Sequence, residues 1–221
     1  MRFENEKALF DQMEKLLNTA VICDILDDFG YRSQIMDHTV RPLDPEHVIA
    51  GRAMTILAAD VCNMPDVPYE MEIAAVDSIK QDEVVVTATN RSNSNAFWGE
   101  LLSTAAVARG ARGAIIDGGT RDVKKIAEVP FKVFASAINP LDSKGRCIVI
   151  EYGSPVVCGG LKVLPGQIIF ADFDGIVAIP REVEDKVISA AMEKIAKERD
   201  SLNMLRTGAL LREVFDKYGI L

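Results

Sequence analysis

The chain has 221 residues, of which 48% are hydrophobic and 26% are charged, so it is long enough to bury a sizeable core, most simply as one domain. Its formal net charge of −8 argues against a general nucleic-acid-binding face, because such proteins tend to be basic. No apolar run reaches the ~20 residues that a membrane span needs, and the charged N-terminus does not resemble a signal peptide. The four scattered cysteines form no C-x-x-C pair, and we expect a reducing, cytoplasmic location.

The first part of the chain has the pattern of two helices followed by alternating strands and helices. Thr19 is the predicted N-cap of the second helix, and Gly30 is predicted to end it. Apolar residues at helical spacing predict helices over 4–17, 20–29 and 70–79. Continuous apolar runs, typical of buried strands, occupy 53–59 and 84–87.

The middle of the chain has the pattern of a parallel sheet with a glycine-rich turn. The polar run 89–95 is predicted either as a mobile lip over a site or as a solvated connection. A helix over 98–109 leads to a short strand over 114–116, and the turn at 117–120 ends on Arg121 and Asp122. A further strand at 132–135 completes a strand–turn–helix–strand unit.

The second half has short β-type runs separated by Gly, Pro and Asp, which predict a meander or a β-layer packed beside the α/β part. These runs are 147–150, 155–158, 161–163, 168–171 and 176–179. The chain is predicted to end in a long helix over about 181–206 and a shorter one over 209–218, both with charged residues along solvated faces.

The dipeptide Arg121–Asp122 is the strongest candidate for a site. Ligands of open α/β sheets usually bind at the carboxyl ends of the strands, where the predicted turn places this pair. The guanidinium of Arg121 is suited to clamping a carboxylate or phosphate, and Asp122 offers a hard oxygen ligand for Mg²⁺ or Mn²⁺. The alternative is a surface ion pair at the start of a helix.

Glu100 is followed after twenty residues by Arg121–Asp122, then by two residues and Lys125. This spacing resembles the signature of the family that contains regulator of ribonuclease activity A (RraA) and the 4-hydroxy-4-methyl-2-oxoglutarate aldolases. The aldolase signature there is Asp, twenty residues, Arg-Asp, two residues, then Glu or Asp. The flanking segments also agree, so the likeness covers nearly the whole chain; these segments are 41–56, 163–180 and 218–221.

The resemblance implies a fold and an assembly. It implies a single RraA-like domain over 1–221, of layered α/β/β/α, swivelling-domain-like architecture with a long C-terminal helix. It also implies a homotrimer, or a dimer of trimers, with sites at subunit boundaries. A neighbouring subunit would contribute an acidic residue from its C-terminal region, for which Glu193 and Glu198 are both candidates.

The same resemblance implies roles for the site residues. The segment Gly99, Glu100, Leu101 and Leu102 would line the substrate carboxylate, partly through backbone N–H groups, and Glu100 would also hold a catalytic water. Arg121 would contact the substrate's oxygens and stabilise an enolate. Asp122 would bind the divalent metal, Mg²⁺ or Mn²⁺.

The function expected from these roles is that of a metal-dependent (class II) aldolase or 2-oxo acid decarboxylase. It would act on a small 2-oxo acid, and neither nucleic acid nor a membrane would be its partner. Two departures from the signature matter: Glu100 replaces Asp, and Lys125 stands where the aldolases have an acid. Two alternatives remain, which are a non-catalytic, protein-binding regulator of the ribonuclease E type and a lyase for another hydroxy or sugar acid.

Overall fold

A computed structural model describes residues 4–219 of the chain. The last two residues of the family-like segment 218–221 therefore lie outside the described residues, as do the ends of the predicted 1–221 domain. The helices within the described part are α1 (Glu6–Leu16), α2 (Thr19–Asp28), α3 (Glu70–Asp77), α4 (Glu100–Ala108), α5 (Val123–Ile126), α6 (Glu184–Arg206) and α7 (Leu211–Tyr218).

The second helix begins one residue earlier than predicted. Asn18, not Thr19, is the N-cap of α2, because its side-chain oxygen accepts a hydrogen bond from the backbone N–H of Val21 at 2.8 Å. Thr19 instead donates from its backbone and its hydroxyl to the buried carboxylate of Asp172. The first turn of α2 is thereby tied to the loop between two distant strands.

One nine-stranded sheet organises the fold. The strands of the chain are β1 (Arg41–Pro42), β2 (Ile49–Asp60), β3 (Glu83–Ala88), β4 (Ala96–Trp98), β5 (Gly113–Thr120), β6 (Lys132–Ile138), β7 (Cys147–Tyr152), β8 (Val156–Cys158), β9 (Leu161–Val163), β10 (Ile168–Ala171) and β11 (Ile176–Ile179). The pairs β2–β3, β3–β5 and β5–β6 are parallel, and β4 adds a short parallel pairing to β5.

The predicted separate β-layer is only partly correct. Strands β7 and β10 both pair antiparallel with the long strand β2, and β11 continues the sheet from β10. Among the described residues, only β8 and β9 form a sheet of their own, an antiparallel hairpin. Because β2 is 12 residues long, its two halves can pair with different strands along the same edge.

Three apolar clusters hold the layers together. The first lies between the main sheet and the β8–β9 hairpin, and the second lies under α3 and α4. The third is formed by α1, α2 and α6 against β10 and β11. The predicted layered α/β fold with a long C-terminal helix is therefore confirmed. Within residues 4–219, no helix combines the length and the apolar character needed to cross a membrane.

Candidate active site

Strand β5 extends through the segment that was predicted as a glycine turn. Residues 117–120 lie inside the strand. Its pairing with β6 shifts register between Ile116 and Gly119, and its short pairing with β4 shifts register between Ala96 and Trp98. A Cβ at Gly119 would overlap the carbonyl oxygen of Asn95, and a Cβ at Gly118 would lie 2.6 Å from the carbonyl oxygen of Ser92. The turn prediction is therefore wrong: the glycines let the 89–98 segment approach the strand closely.

The 89–95 segment itself is held by hydrogen bonds at several points. The hydroxyls of Ser92 and Ser94 both donate to the carboxylate of Asp60, at 2.6 and 2.9 Å. The side-chain amide of Asn139 donates to the carbonyl oxygen of Asn93 at 2.8 Å. These contacts describe an anchored connection that carries the chain into β4 beside the end of β5.

The change of direction after β5 comes at Asp122. Its backbone adopts the left-handed conformation, with φ 58° and ψ 30°, which costs a non-glycine residue of the order of 1 kcal/mol or more. The carboxylate makes no capping hydrogen bond to the following helix, α5, which is a single turn of four residues. The side chain is instead free to face the cleft that lies above the strand ends.

This cleft has a volume of about 410 Å³ and lies beside α3 and α4. It brings together every residue of this chain predicted for the substrate and the metal, namely Gly99, Glu100, Leu101, Leu102, Arg121 and Asp122. Gly99 is the N-cap of α4, and a Cβ there would lie 2.9 Å from Oδ2 of Asp122. The start of α4 and the end of β5 therefore meet at the floor of the cleft.

The guanidinium of Arg121 lies between two carboxylates. Its Nε is 3.6 Å from Oδ2 of Asp122, and its Nη2 is 3.3 Å from Oδ1 of Asp142. The hydroxyl of Tyr69 donates a hydrogen bond to the other oxygen of Asp142. Burial opposes ionisation of Asp142, but the hydrogen bond from Tyr69 and the charge of Arg121 bring its pKa below the usual range. Burial and the same hydrogen bond raise the pKa of Tyr69 to about 12.

Glu72 is a buried carboxyl group in the wall of the cleft. Its side chain accepts a long hydrogen bond of 3.4 Å from the hydroxyl of Ser143. Burial, followed by the nearby charge of Asp142, raises the pKa of Glu72 to about 7. The cleft therefore contains a carboxyl group that is partly protonated near neutral pH.

Tyr69, Glu72 and Asp142 were not among the predicted site residues. Glu72 had a detectable signal, because it stands three and four residues before the buried residues Ala75 and Val76, on the buried face of α3. Asp142 and Tyr69 lie in connections far from Arg121 in sequence. Only the fold brings these connections to it.

Three other predicted positions lie outside this cleft. The amine of Lys125 is 3.1 Å from the carboxylate of Glu128 in an exposed pair, and neither residue lines the cleft. Glu193 and Glu198 lie on α6, which packs against α2, and they do not line the cleft of their own chain. Within residues 4–219, no group of three or more His, Cys, Asp or Glu side chains is arranged to hold a metal ion.

Comparison with known proteins identifies the family. The sequence model of the RraA-like family, described as Aldolase/RraA, matches residues 19–178. The chain therefore belongs to the RraA-like family, as its resemblance to that family predicted.

Two curated relatives and one solved structure illustrate the likeness. A Halalkalibacterium halodurans protein, provisionally named as a 4-hydroxy-4-methyl-2-oxoglutarate aldolase, is 25% identical over 83% of this chain and 82% of its own length. Protein DlpA of Legionella pneumophila is 26% identical over 91% of this chain, and the chain spans about a third of DlpA, 32% of its length.

The solved structure is Streptomyces coelicolor RraAS2, described as an unusual member of the RNase ES inhibitor RraA protein family. It matches with a TM-score of 0.75 and 22% identity, over 91% of this chain and 98% of that one. At this identity the likeness supports the fold.

Proposed function

We propose that the chain is a lyase that cleaves a C–C bond of a small 2-oxo acid through a pyruvate enolate. The observation that carries this proposal is the meeting of Arg121, Asp122 and the N-terminus of α4 on the floor of one cleft. Together they offer a cation for oxyanions, a hard oxygen ligand, and backbone N–H groups suited to a carboxylate. The aldolase name of the Halalkalibacterium halodurans relative agrees with this class of reaction.

The donor set fits a divalent metal that keeps most of its own water. Asp122 is 43% exposed, and its carboxylate is not used to cap α5. A single protein carboxylate is sufficient for Mg²⁺, which usually retains several waters and is completed by substrate oxygens. Asp122 would hold Mg²⁺ or Mn²⁺, which when bound would act as a Lewis acid toward the 2-oxo group.

The residues of the chain would then bind the substrate, stabilise the enolate and transfer protons. The N–H groups at the start of α4, from Glu100 to Leu102, would bind the substrate carboxylate, since the first N–H groups of a helix have no partner within it. Arg121 would oppose the negative charge that develops on the enolate oxygen. The carboxylate of Glu100 would orient a water that moves protons.

The proposed cleavage balances without any redox partner. In a 4-hydroxy-2-oxo acid the hydroxyl loses its proton, the C3–C4 bond breaks, and C4 becomes a carbonyl carbon. The electron pair left on C3 forms the enolate of pyruvate, which takes up a proton to give pyruvate. In a decarboxylation, the departing group is CO₂ and the same enolate is formed.

We also propose that the cleft works in a trimer, or a dimer of trimers, at a boundary between subunits. Leu101 at the start of α4 is 80% exposed, and Ile138, which pairs with Thr120 at the end of β5, is 69% exposed. Large apolar side chains exposed beside a site often mark a contact surface. Glu193 or Glu198 of a neighbouring copy would then reach this cleft. A light-scattering mass equal to one chain would contradict this arrangement.

The central experiment is a pyruvate-release screen. The purified chain is incubated with Mg²⁺ or Mn²⁺ and a panel of 2-oxo, hydroxy and sugar acids, with and without EDTA. We expect pyruvate release that stops when EDTA is added. The variants Arg121→Ala and Asp122→Ala should each lose this activity, whereas the exposed control variant Glu128→Ala should keep it. Full activity in Asp122→Ala would contradict the proposal.

The two alternatives are separate outcomes of the same screen. Turnover of a hydroxy or sugar acid without pyruvate would indicate a different lyase on the same site. No turnover of any acid, together with saturable binding to a ribonuclease of the E type, would indicate a protein-binding regulator. The family description, Aldolase/RraA, covers both kinds of protein.

A further inference from the structure

The cleft continues away from Arg121 as a groove between α3 and α4. At one end, the N-cap of α4, Gly99, lies against Asp122. At the other end, the last residue of α3, Asp77, pairs with Arg109, the C-cap of α4, at 2.9 Å. The two helices therefore lie side by side, and the groove follows them from their N-terminal toward their C-terminal ends.

The groove is apolar along this path. Val76 is buried in its floor, Leu102 and Ala105 are half-buried beside it, and Ile73 forms an exposed rim. The cavity of about 410 Å³ falls within the ~300–1,000 Å³ of small-molecule sites, and a three-carbon acid leaves much of it empty. The space beyond the reacting carbons is therefore shaped for a hydrocarbon tail.

The charges around the groove are mostly negative. Among the described residues that line the cleft, Arg121 is the only cation, and it already contacts the carboxylates of Asp122 and Asp142. At the far end, the positive charge of Arg109 is offset by Asp77. A second carboxylate on a substrate tail would lose water, find no free cation, and be repelled by the acids of the wall, which include Asp142 and Glu100.

We infer that the substrate is a monocarboxylic 4-hydroxy-2-oxo acid whose tail is uncharged and apolar, and that dicarboxylic acids are discriminated against. This inference rests on the proposed function and narrows it. Cleavage of the C3–C4 bond would give pyruvate and an aldehyde or ketone that carries the apolar tail. Oxaloacetate and the dicarboxylic acid named for the Halalkalibacterium halodurans relative are then poor substrates for this chain.

The test compares substrates that differ only at the end of the tail. Values of kcat/KM for pyruvate release are measured with 4-hydroxy-2-oxohexanoate and with 4-hydroxy-2-oxoadipate, which have the same chain length. We expect the monocarboxylate to be preferred by about tenfold or more, because the second carboxylate would be unpaired among like charges in a partly desolvated site. A tenfold preference corresponds to about 1.4 kcal/mol. Equal or faster cleavage of the adipate would overturn the inference and leave the proposed function intact.

A matched pair of variants tests whether charge is the cause. Ile73→Lys places a cation on the rim of the groove and should shift the preference toward the dicarboxylate by about tenfold, whereas Ile73→Gln removes the apolar side chain without adding charge and should not. An unchanged ratio in Ile73→Lys would contradict the inference.

Binding gives a readout that does not depend on turnover. By calorimetry in the presence of Mg²⁺, 2-oxohexanoate should bind more tightly than 2-oxoadipate, neither of which has the 4-hydroxyl group needed for cleavage. Tighter binding of the adipate contradicts the inference. By contrast, the proposed function is contradicted if no 2-oxo acid in the panel releases pyruvate.

Discussion

Arg121 lies closer to Asp142 than to its sequence neighbour Asp122: Nη2 is 3.3 Å from Oδ1 of Asp142, whereas Nε is 3.6 Å from Oδ2 of Asp122. The second oxygen of Asp142 accepts a hydrogen bond from Tyr69. A carboxylate held in this way fixes the guanidinium above the strand ends. The carboxylate of Asp122 is left less constrained, as a metal ligand needs to be.

Replacing Asp142 should therefore impair the position of Arg121. Asp142→Asn keeps the size of the side chain but removes the charge, and we expect kcat/KM for pyruvate release to fall about 10- to 100-fold, because a small displacement of a catalytic cation is costly. Tyr69→Phe should have a smaller effect, since it removes only the hydroxyl. A melting temperature within a few degrees of wild type would separate positioning from unfolding. Unchanged kinetics would contradict this role.

The planar fork of Arg121 should matter beyond its charge. Arg121→Lys retains a cation, but an ammonium cannot make two parallel hydrogen bonds to a carboxylate or to the paired oxygens of a 2-oxo acid. We expect kcat to fall about 100-fold, measured by steady-state pyruvate release at saturating substrate. A loss confined to KM would show that the guanidinium binds the substrate without stabilising the enolate.

Glu72 should make the stability of the fold depend on pH. Its pKa is about 7 in the folded chain, against an ordinary value of 4.5, because it is buried and faces Asp142, with only Arg121 and the Ser143 hydroxyl acting in the opposite direction. The unfolded chain therefore releases this proton first, and the free energy of unfolding should fall as pH rises from about 4.5 to 7. Above pH 7 the folded chain bears the full cost of ionising Glu72, which lowers the free energy of unfolding by about 3 kcal/mol at most.

The matched variant for this prediction is Glu72→Gln. It should be more stable than wild type at pH 8, where the native carboxyl is ionised, and the difference should shrink toward pH 4. Urea unfolding at a series of pH values measures this directly. A difference that is the same at every pH would indicate that packing, not ionisation, is responsible.

The close approach at Gly119 should not tolerate a side chain. A Cβ there would overlap the backbone carbonyl of Asn95, which cannot move without displacing β4. We expect Gly119→Ala to lower the free energy of unfolding by about 1–3 kcal/mol, with loss of activity. Gly175→Ala is the control, because its Cβ would meet only the flexible side chain of Ile35 at 3.3 Å. Equal stability of the two variants would contradict the structural role of Gly119.

The departure at Lys125 should have little effect on activity. Its amine pairs with Glu128 on the surface and does not line the cleft. Lys125→Glu restores the acid of the aldolase signature, and we expect kcat/KM to change by less than about twofold, with a stability change below about 1 kcal/mol. A large gain in activity would show that this position acts in catalysis and would contradict the prediction.

Local sequence patterns predicted most of the helices and strands correctly, because apolar periodicity and capping residues act over a few positions. The same local information placed Gly99 to Leu102 at the start of a helix and Arg121–Asp122 after a buried strand. The glycines at 118–119 were misinterpreted as a turn. These glycines instead allow close packing against a segment more than twenty residues upstream, and a local sequence pattern does not indicate such a contact.

The spacing of residues along the chain was enough to indicate an α/β fold and the pair Arg121–Asp122, and the resemblance of its motifs indicated the family and its layered architecture. The tertiary structure decided how the pair is used. It brought Asp142 and Tyr69 to the guanidinium and buried Glu72 beside them. Tyr69 and Glu72 lie at the start of α3, and Asp142 lies in the connection after β6, so they meet only in the folded sheet. The charge, burial and pKa values at the site depend on the tertiary structure, because they depend on distances in space that the order of residues does not specify.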